Sequence, residues 1–234
     1  PDGVVGPLTW AALENRQPVL PADATSQATV EIVADMFPFT RLDAIGRNLP
    51  EVLRALRQFG LVDKPMVVMA LATVRAETEG FEPVDEWPSR FNTSPGGHPF
   101  DLYDHRADLG NRGRPDGARF KGRGFVQLTG RENYARIGRL IGRGDLLERE
   151  PEMANEPATA AQVMAAFLGA RRLLIKEALL EDDLARARRL VNGGRHGLDR
   201  FVAAYRIGEE RLEDEIWLPR RYDQALKPSV PLVA

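Results

Sequence analysis

The sequence predicts a mainly α-helical domain interrupted by one long Gly- and Pro-rich excursion. Three observations predict it. From about residue 30 onward, apolar residues recur at helical spacing, as in Met66, Met69, Ala70 and Thr73. Residues 82–122 break that pattern, with abundant Gly and Pro, many Asp and Arg, and little apolar periodicity. No alternation of strands and helices occurs, so at most a few short strands are expected, within the excursion and lining a cleft.

The 234 residues, 43% hydrophobic and 28% charged, suit one domain plus a fragment and are too apolar for a disordered chain. A formal net charge of -2 gives no whole-protein attraction to nucleic acid. No apolar run approaches the roughly 20 residues that span a bilayer. There is no Cys, hence no disulfide, thiol nucleophile or cysteine-ligated metal, and three His make a His-rich metal site unexpected. Only Lys64, Lys121, Lys176 and Lys227 among 32 basic residues are Lys, a bias we read as genome composition rather than function. The chain starts Pro1-Asp2-Gly3 without a signal segment, and we read it as part of a longer polypeptide.

The elements follow in order. Residues 1–16 carry turn signals at Asp2-Gly3 and Gly6-Pro7 and a short helix capped by Thr9. Residues 17–31, with Pro18 and Pro21, read as a linker. Asn48-Leu49-Pro50 is expected to open a helix carrying Leu53, Leu56 and Phe59 and closed by Gly60. Asp63 caps the next helix, which carries Met66 to Glu79 and ends at Gly80. After the excursion, helical spacing resumes at Tyr134–Leu140, Val163–Leu168, Leu184–Val191 and Phe201–Tyr205, with Asn155 and Asp199 as expected N-caps. A polar segment as long as 82–122 inside a domain is usually functional.

Chemistry concentrates in three places. Glu77 sits at the end of its helix, below apolar or small neighbours at Thr73, Ala70 and Met66. Partial desolvation and the negative end of the helix dipole would both favour the protonated form that a general acid needs. An acid fraying into solvent gives the same spacing. Glu86 follows nine residues later beside Asp85 and Trp87. Two carboxylates flanking a glycosidic bond are the minimum equipment for its hydrolysis, though a solvated acidic loop of Glu82, Asp85 and Glu86 also fits. The third stretch is Phe120-Lys-Gly-Arg-Gly-Phe-Val-Gln-Leu-Thr-Gly-Arg-Glu-Asn-Tyr134. Gly122 and Gly124 permit close approach or a sharp turn. Phe125-Val126 reads as a buried strand that places Gln127 and Thr129 on one side. Thr129 to Glu132 also has capping-box spacing for the next helix.

Gly122-Arg-Gly-Phe-Val-Gln-Leu-Thr-Gly-Arg-Glu-Asn-Tyr134 resembles the signature G-R-G-x-x-Q-L-[ST]-x-x-x-N-Y of the family 19 glycoside hydrolases, the plant-type chitinases and their endolysin relatives. Ala76-Glu-Thr-Glu-Gly-Phe81 resembles the family's H-E-T-x-G-F, and Val191-Asn-Gly-Gly its I-N-G-G block. The nine-residue spacing of Glu77 and Glu86 resembles the short phage-endolysin branch. Ala76 replaces the family's usual His, and the lack of Cys departs from the plant enzymes. Asp2, Gly3, Gly6, Thr9, Ala12 and Leu13 resemble the end of a small peptidoglycan-binding domain.

The resemblance implies a lysozyme-like, bilobal helical domain over residues 32–218, with a C-terminal tail at 219–234. It implies that Glu77 is the general acid, Glu86 the general base, and Thr129 a holder of the attacking water. Gln127, Asn133, Tyr134 and Asn192 would bind the sugars, and Arg200 would pair near the acid. Inverting hydrolysis of β-1,4 bonds is implied, with no metal or organic cofactor. We expect a monomer acting on peptidoglycan at the bacterial cell wall, with chitin as the alternative substrate. A lytic transglycosylase and a non-catalytic wall-binding protein are the competing classes. Arg106, Arg112, Arg114, Arg119, Lys121 and Arg123, against Asp108 and Asp116, suggest a local basic surface suited to anionic wall polymers, or else a solvated loop.

Overall fold

The computed structural model describes residues 23–192 and 197–213. The expected remnant at 1–16 and tail at 219–234 lie outside the described residues. The fold is mainly helical. In order come α1 (Val30–Met36), α2 (Leu42–Gln58), α3 (Lys64–Glu77), β1 (Val84–Asp85), α4 (Asp101–Asp104), α5 (Asp116–Arg119) and β2 (Arg123–Gly124). They are followed by α6 (Arg131–Leu140), α7 (Leu146–Arg149), α8 (Pro157–Gly169), α9 (Arg172–Leu180), α10 (Leu184–Asn192) and α11 (Leu198–Arg211).

Helix α3 is the spine of the larger lobe. Asp63 caps it by accepting from the Met66 amide at 3.3 Å, and Pro65 occupies its first turn. Met66 to Val74 are buried without a break, because α11 packs along one side while α1, α8 and α9 touch others. A helix apolar all round is what that enclosure demands. Helix α8 joins two apolar clusters. Ala160, Ala161 and Met164 pack into the α3 core. Val163 and Ala166 face a smaller cluster with Phe120, Leu128, Tyr134, Ile137 and Leu147. Two clusters on one shared helix make the domain bilobal.

Several expectations change. Residues 23–31 are domain rather than linker: Asp23 caps a 3-10 turn at Ala24–Ser26, Ala24 is buried, and its amide donates to Val62 O at 2.8 Å. Helix α2 starts at Leu42, not after Asn48, and carries Pro50 in its interior. Asn48 is buried there, with Nδ2 donating to Ala44 O at 3.0 Å. Asn155 and Asp199 cap nothing; Glu156 and Gly197 hold those positions. The strand after the excursion is Arg123–Gly124 rather than Phe125–Val126. It pairs antiparallel with β1, Val84 opposite Gly124 and Asp85 opposite Arg123.

The excursion is ordered by side chains bonding backbone and one another. Asp116 binds Arg131 through both oxygens, at 2.9 and 2.6 Å, and accepts from the Arg112 amide at 2.8 Å. Asp104, buried, accepts from the Gly117 amide at 2.8 Å and meets His98 Nε2 at 3.0 Å. Among the described residues no helix is long and apolar enough to cross a membrane.

Candidate active site

A cleft of about 780 Å³ is lined by Glu77, Val84, Asp85, Glu86, Trp87, Tyr103, Leu109, Val126, Gln127, Thr129, Asn133, Phe167 and Val191. Five residues singled out in the sequence, Glu77, Glu86, Gln127, Thr129 and Asn133, therefore meet in one place.

Glu77 closes α3 and is largely enclosed, its side chain 13% exposed. Its Oε1 accepts from Nη2 of Arg188 at 2.7 Å, and the Arg188 side chain is wholly buried. Arg188 stands on α10 three residues before the cleft residue Val191, so helical spacing turns both to the same side. That spacing is the signal by which Arg188 is findable in the sequence.

Glu86 follows β1 and is held from three sides. Its Oε1 accepts from Tyr103 OH at 2.8 Å and from Asn92 Nδ2 at 2.9 Å; its Oε2 accepts from the Gly122 amide at 2.9 Å. The Glu86 amide donates back to Gly122 O at 2.8 Å. A Cβ on Gly122 would crowd the site: it would stand 2.7 Å from Gln127 Oε1 and 3.1 Å from Glu86 Oε2, so those two side chains would have to shift. Burial, then the bond to the Glu86 carboxylate, push the Tyr103 phenol well above its ordinary range, so it stays a donor. Nothing local in the sequence announces Asn92 or Tyr103, since they reach Glu86 across loops.

Asp85, the neighbouring acid, is engaged elsewhere. It meets Lys121 Nζ and Arg123 Nε, both at 3.1 Å, and accepts from Asn155 Nδ2 at 2.8 Å. Burial opposes its charge, but these hydrogen bonds and cations outweigh burial and hold the carboxyl below its ordinary value. Asn155 Oδ1 also accepts from the Gly124 amide at 2.9 Å, so one side chain holds both strands of the two-stranded sheet.

Gln127 adopts a left-handed backbone, φ 50°, and its Nε2 donates to Val84 O at 3.0 Å. Thr129 does not cap α6; Gly130 occupies the cap position, and Thr129 Oγ1 donates to Gln127 O at 2.8 Å. Both Thr129 oxygen lone pairs are then available toward the cleft. Asn133 Nδ2 donates to the Thr129 backbone carbonyl at 2.8 Å, which ties the first turn of α6 to that residue.

Three expectations are corrected here. Tyr134 is not a sugar contact: it is fully buried in the smaller cluster, donating to Lys121 O at 2.8 Å and accepting from Arg123 Nη1 at 3.0 Å. Arg200 pairs with Glu79, and the cation on Glu77 is Arg188. Four of the six basic residues of this stretch are engaged with partners in the chain, two of them beside Glu86 and two at the surface. Arg123 is buried, Lys121 binds Asp85, Arg106 binds Asp108 at 2.5 Å, and Arg119 caps the carbonyls of Glu148 and Arg149. The Asn192 side chain lies outside the described residues. Among the described residues no group of three or more His, Cys, Asp or Glu is placed to hold a metal ion.

No family model matches the chain. Solved structures do share its fold. Chitinase C from Streptomyces griseus is 18% identical, with 82% of this chain and 79% of that one covered and a TM-score of 0.51. A mutant chitinase C is 19% identical, with 78% and 77% covered and a TM-score of 0.53. The likeness agrees with the mainly helical, lysozyme-like architecture expected from the sequence.

Proposed function

We propose that the protein hydrolyses β-1,4-glycosidic bonds between N-acetylated sugars, with bacterial peptidoglycan as its substrate at the cell wall. The observation that carries this reading is the pair of unlike carboxylates in one cleft. Glu77 is gripped by a buried cation at one oxygen, and Glu86 by three donors.

The hydrogen-bond inventory supports a division of roles. A carboxylate offers about four lone-pair sites. Three on Glu86 are taken, and the one left on Oε2 can accept a proton from water. The second hydrogen of that water would rest on Thr129 Oγ1, whose own hydrogen is committed to Gln127 O. The water then presents a lone pair to the anomeric carbon. Glu77, with Arg188 on Oε1, would carry its proton on Oε2 and deliver it to the departing oxygen. The C–O bond breaks as the water oxygen attacks from the opposite face, Glu86 takes the water proton, and the new reducing end is inverted. Gln127 and Asn133 line the same wall and would hold the sugar's hydroxyl and acetamido groups.

Chitin is the second reading, favoured by the two chitinase C structures that share the fold. One experiment addresses both. Purified peptidoglycan and colloidal chitin are incubated with the wild-type protein and with Glu77→Gln, following turbidity and released reducing ends. Reducing ends on either polymer, lost in the variant, are expected. Lysis by a folded Glu77→Gln protein overturns the assignment of the acid. 1,6-Anhydro products would make the enzyme a transglycosylase.

A further inference from the structure

We propose that Trp87 is a sugar-stacking platform that seats one pyranose ring of the glycan beside the bond served by Glu86. This rests on the glycan-hydrolase reading above. Trp87 lines the cleft, yet it is 82% exposed. A large apolar side chain standing in water at the wall of a cleft that carries both polar and apolar residues suggests a partner with an apolar face. Among the described residues, no ring or cation lies over its indole. Phe91, four residues on and 75% exposed, differs: Arg90 covers its face at 4.8 Å from the ring centre.

The backbone beneath the indole is built to hold it in register. Asn92 is wholly buried, and its Nδ2 donates to both Trp87 O and Glu86 Oε1, each at 2.9 Å. Its Oδ1 accepts from the Ser89 amide at 2.7 Å and from Thr93 Oγ1 at 2.8 Å. One amide thus closes the loop from Glu86 to Thr93 and ties the Trp87 backbone to the same anchor as the carboxylate. The indole therefore projects into the cleft from a backbone fixed beside Glu86.

The chemistry of the ligand follows. A β-1,4-linked pyranose with equatorial substituents presents two flat faces of axial C–H groups, which suit the electron-rich face of an indole. Chitin and peptidoglycan share this surface, so the platform binds the common sugar backbone rather than the groups that distinguish the two polymers.

The test uses the full chain carrying Glu77→Gln, so that polymer is bound without being cut. Co-sedimentation is measured with purified peptidoglycan and with colloidal chitin, for this protein and with Trp87→Ala or Trp87→Phe added. On the polymer that the wild type cleaves, Trp87→Ala should weaken binding about tenfold and Trp87→Phe about threefold or less. Binding by Trp87→Ala within about twofold of its parent overturns the platform while leaving the hydrolase reading intact. Equal losses in the Ala and Phe variants overturn it too, since an aromatic face would then not be what matters. A wild-type protein that neither cleaves nor sediments with either polymer overturns both readings.

Discussion

The Glu77–Arg188 pair makes a quantitative prediction. Arg188 is 0% exposed, Glu77 is 13% exposed, and the contact is 2.7 Å. When Glu77 is ionised, with charge centres about 4 Å apart and an effective dielectric near 20, the pair attracts by about 4 kcal/mol; in the protonated form that would donate to the leaving oxygen, only the hydrogen bond at Oε1 remains. Removing one partner of a buried pair typically costs about 3–5 kcal/mol, chiefly by stranding the other charge. Glu77→Gln keeps the shape and an acceptor oxygen for the guanidinium, so its cost should fall lower, at about 2–3 kcal/mol. Arg188→Met fills much of the same space but strands a carboxylate, at about 3 kcal/mol. The double variant strands neither charge. It should therefore cost less than the sum of the singles by about 2 kcal/mol. Urea unfolding of the four proteins at pH 7 measures the cycle. Additivity within about 0.5 kcal/mol would show that the contact carries no coupling, and the reasoning would fail. Arg188→Met should also slow hydrolysis, because the acid would lose the contact that orients it.

Three further outcomes are expected. Gly122→Ala pushes a methyl group against Gln127 and Glu86, so activity should fall by roughly a hundredfold while Tm drops only a few degrees; parallel rate and melting measurements check it. Tyr134→Phe should cost about 1–2 kcal/mol of stability, from the hydrogen bonds lost to Lys121 and Arg123, and leave KM unchanged; a clear rise in KM would return Tyr134 to the substrate-binding residues. Arg131 holds the Asp116 carboxyl below its ordinary value of 3.8, against the opposing effect of burial. The unfolded chain then binds more protons between the two values, so this contribution is present above about pH 4 and is lost as pH falls through the folded value. In Asp116→Asn, urea midpoints measured from pH 6 to pH 2.5 should show a shallower acid slope than wild type.

Much of the helical frame is legible in the sequence because its causes are local. Apolar spacing and the Asp63 cap place α3, and continuous apolar character marks α8 as enclosed. Where local signals compete, the reading slips. Pro50 looks like a helix opener, yet α2 starts eight residues earlier and tolerates it. Thr129 has the spacing of a capping box, but its hydroxyl turns back to Gln127 O and leaves the cap to Gly130. The excursion is illegible for a different reason. Its turns are set by pairs such as Asp116–Arg131 and Asp104–Gly117, whose separations follow no period.

The site divides along the same line. Glu77, Glu86, Gln127, Thr129 and Asn133 are found through motif and spacing, and they share the cleft. The residues that hold the two acids, Arg188, Tyr103 and Asn92, come from elsewhere in the chain. Charge shows the consequence most sharply. Six cations between Arg106 and Arg123 look like an attraction for anionic wall polymers. Four of them are instead engaged: Lys121 and Arg123 with Asp85 on the strand beside Glu86, Arg106 with Asp108 at the surface, and Arg119 with backbone carbonyls at the end of α7. A cation paired with a carboxylate, as in Arg106–Asp108 and the Lys121 and Arg123 contacts to Asp85, contributes less long-range field because the opposite charges offset one another at a distance. Under the proposed function, recognition of the glycan would fall chiefly to neutral features of the cleft: the amides of Gln127 and Asn133, and the exposed indole of Trp87. Such features would read the sugar backbone that peptidoglycan and chitin have in common, so a preference between the polymers would have to come from the space and the charges around the bound chain.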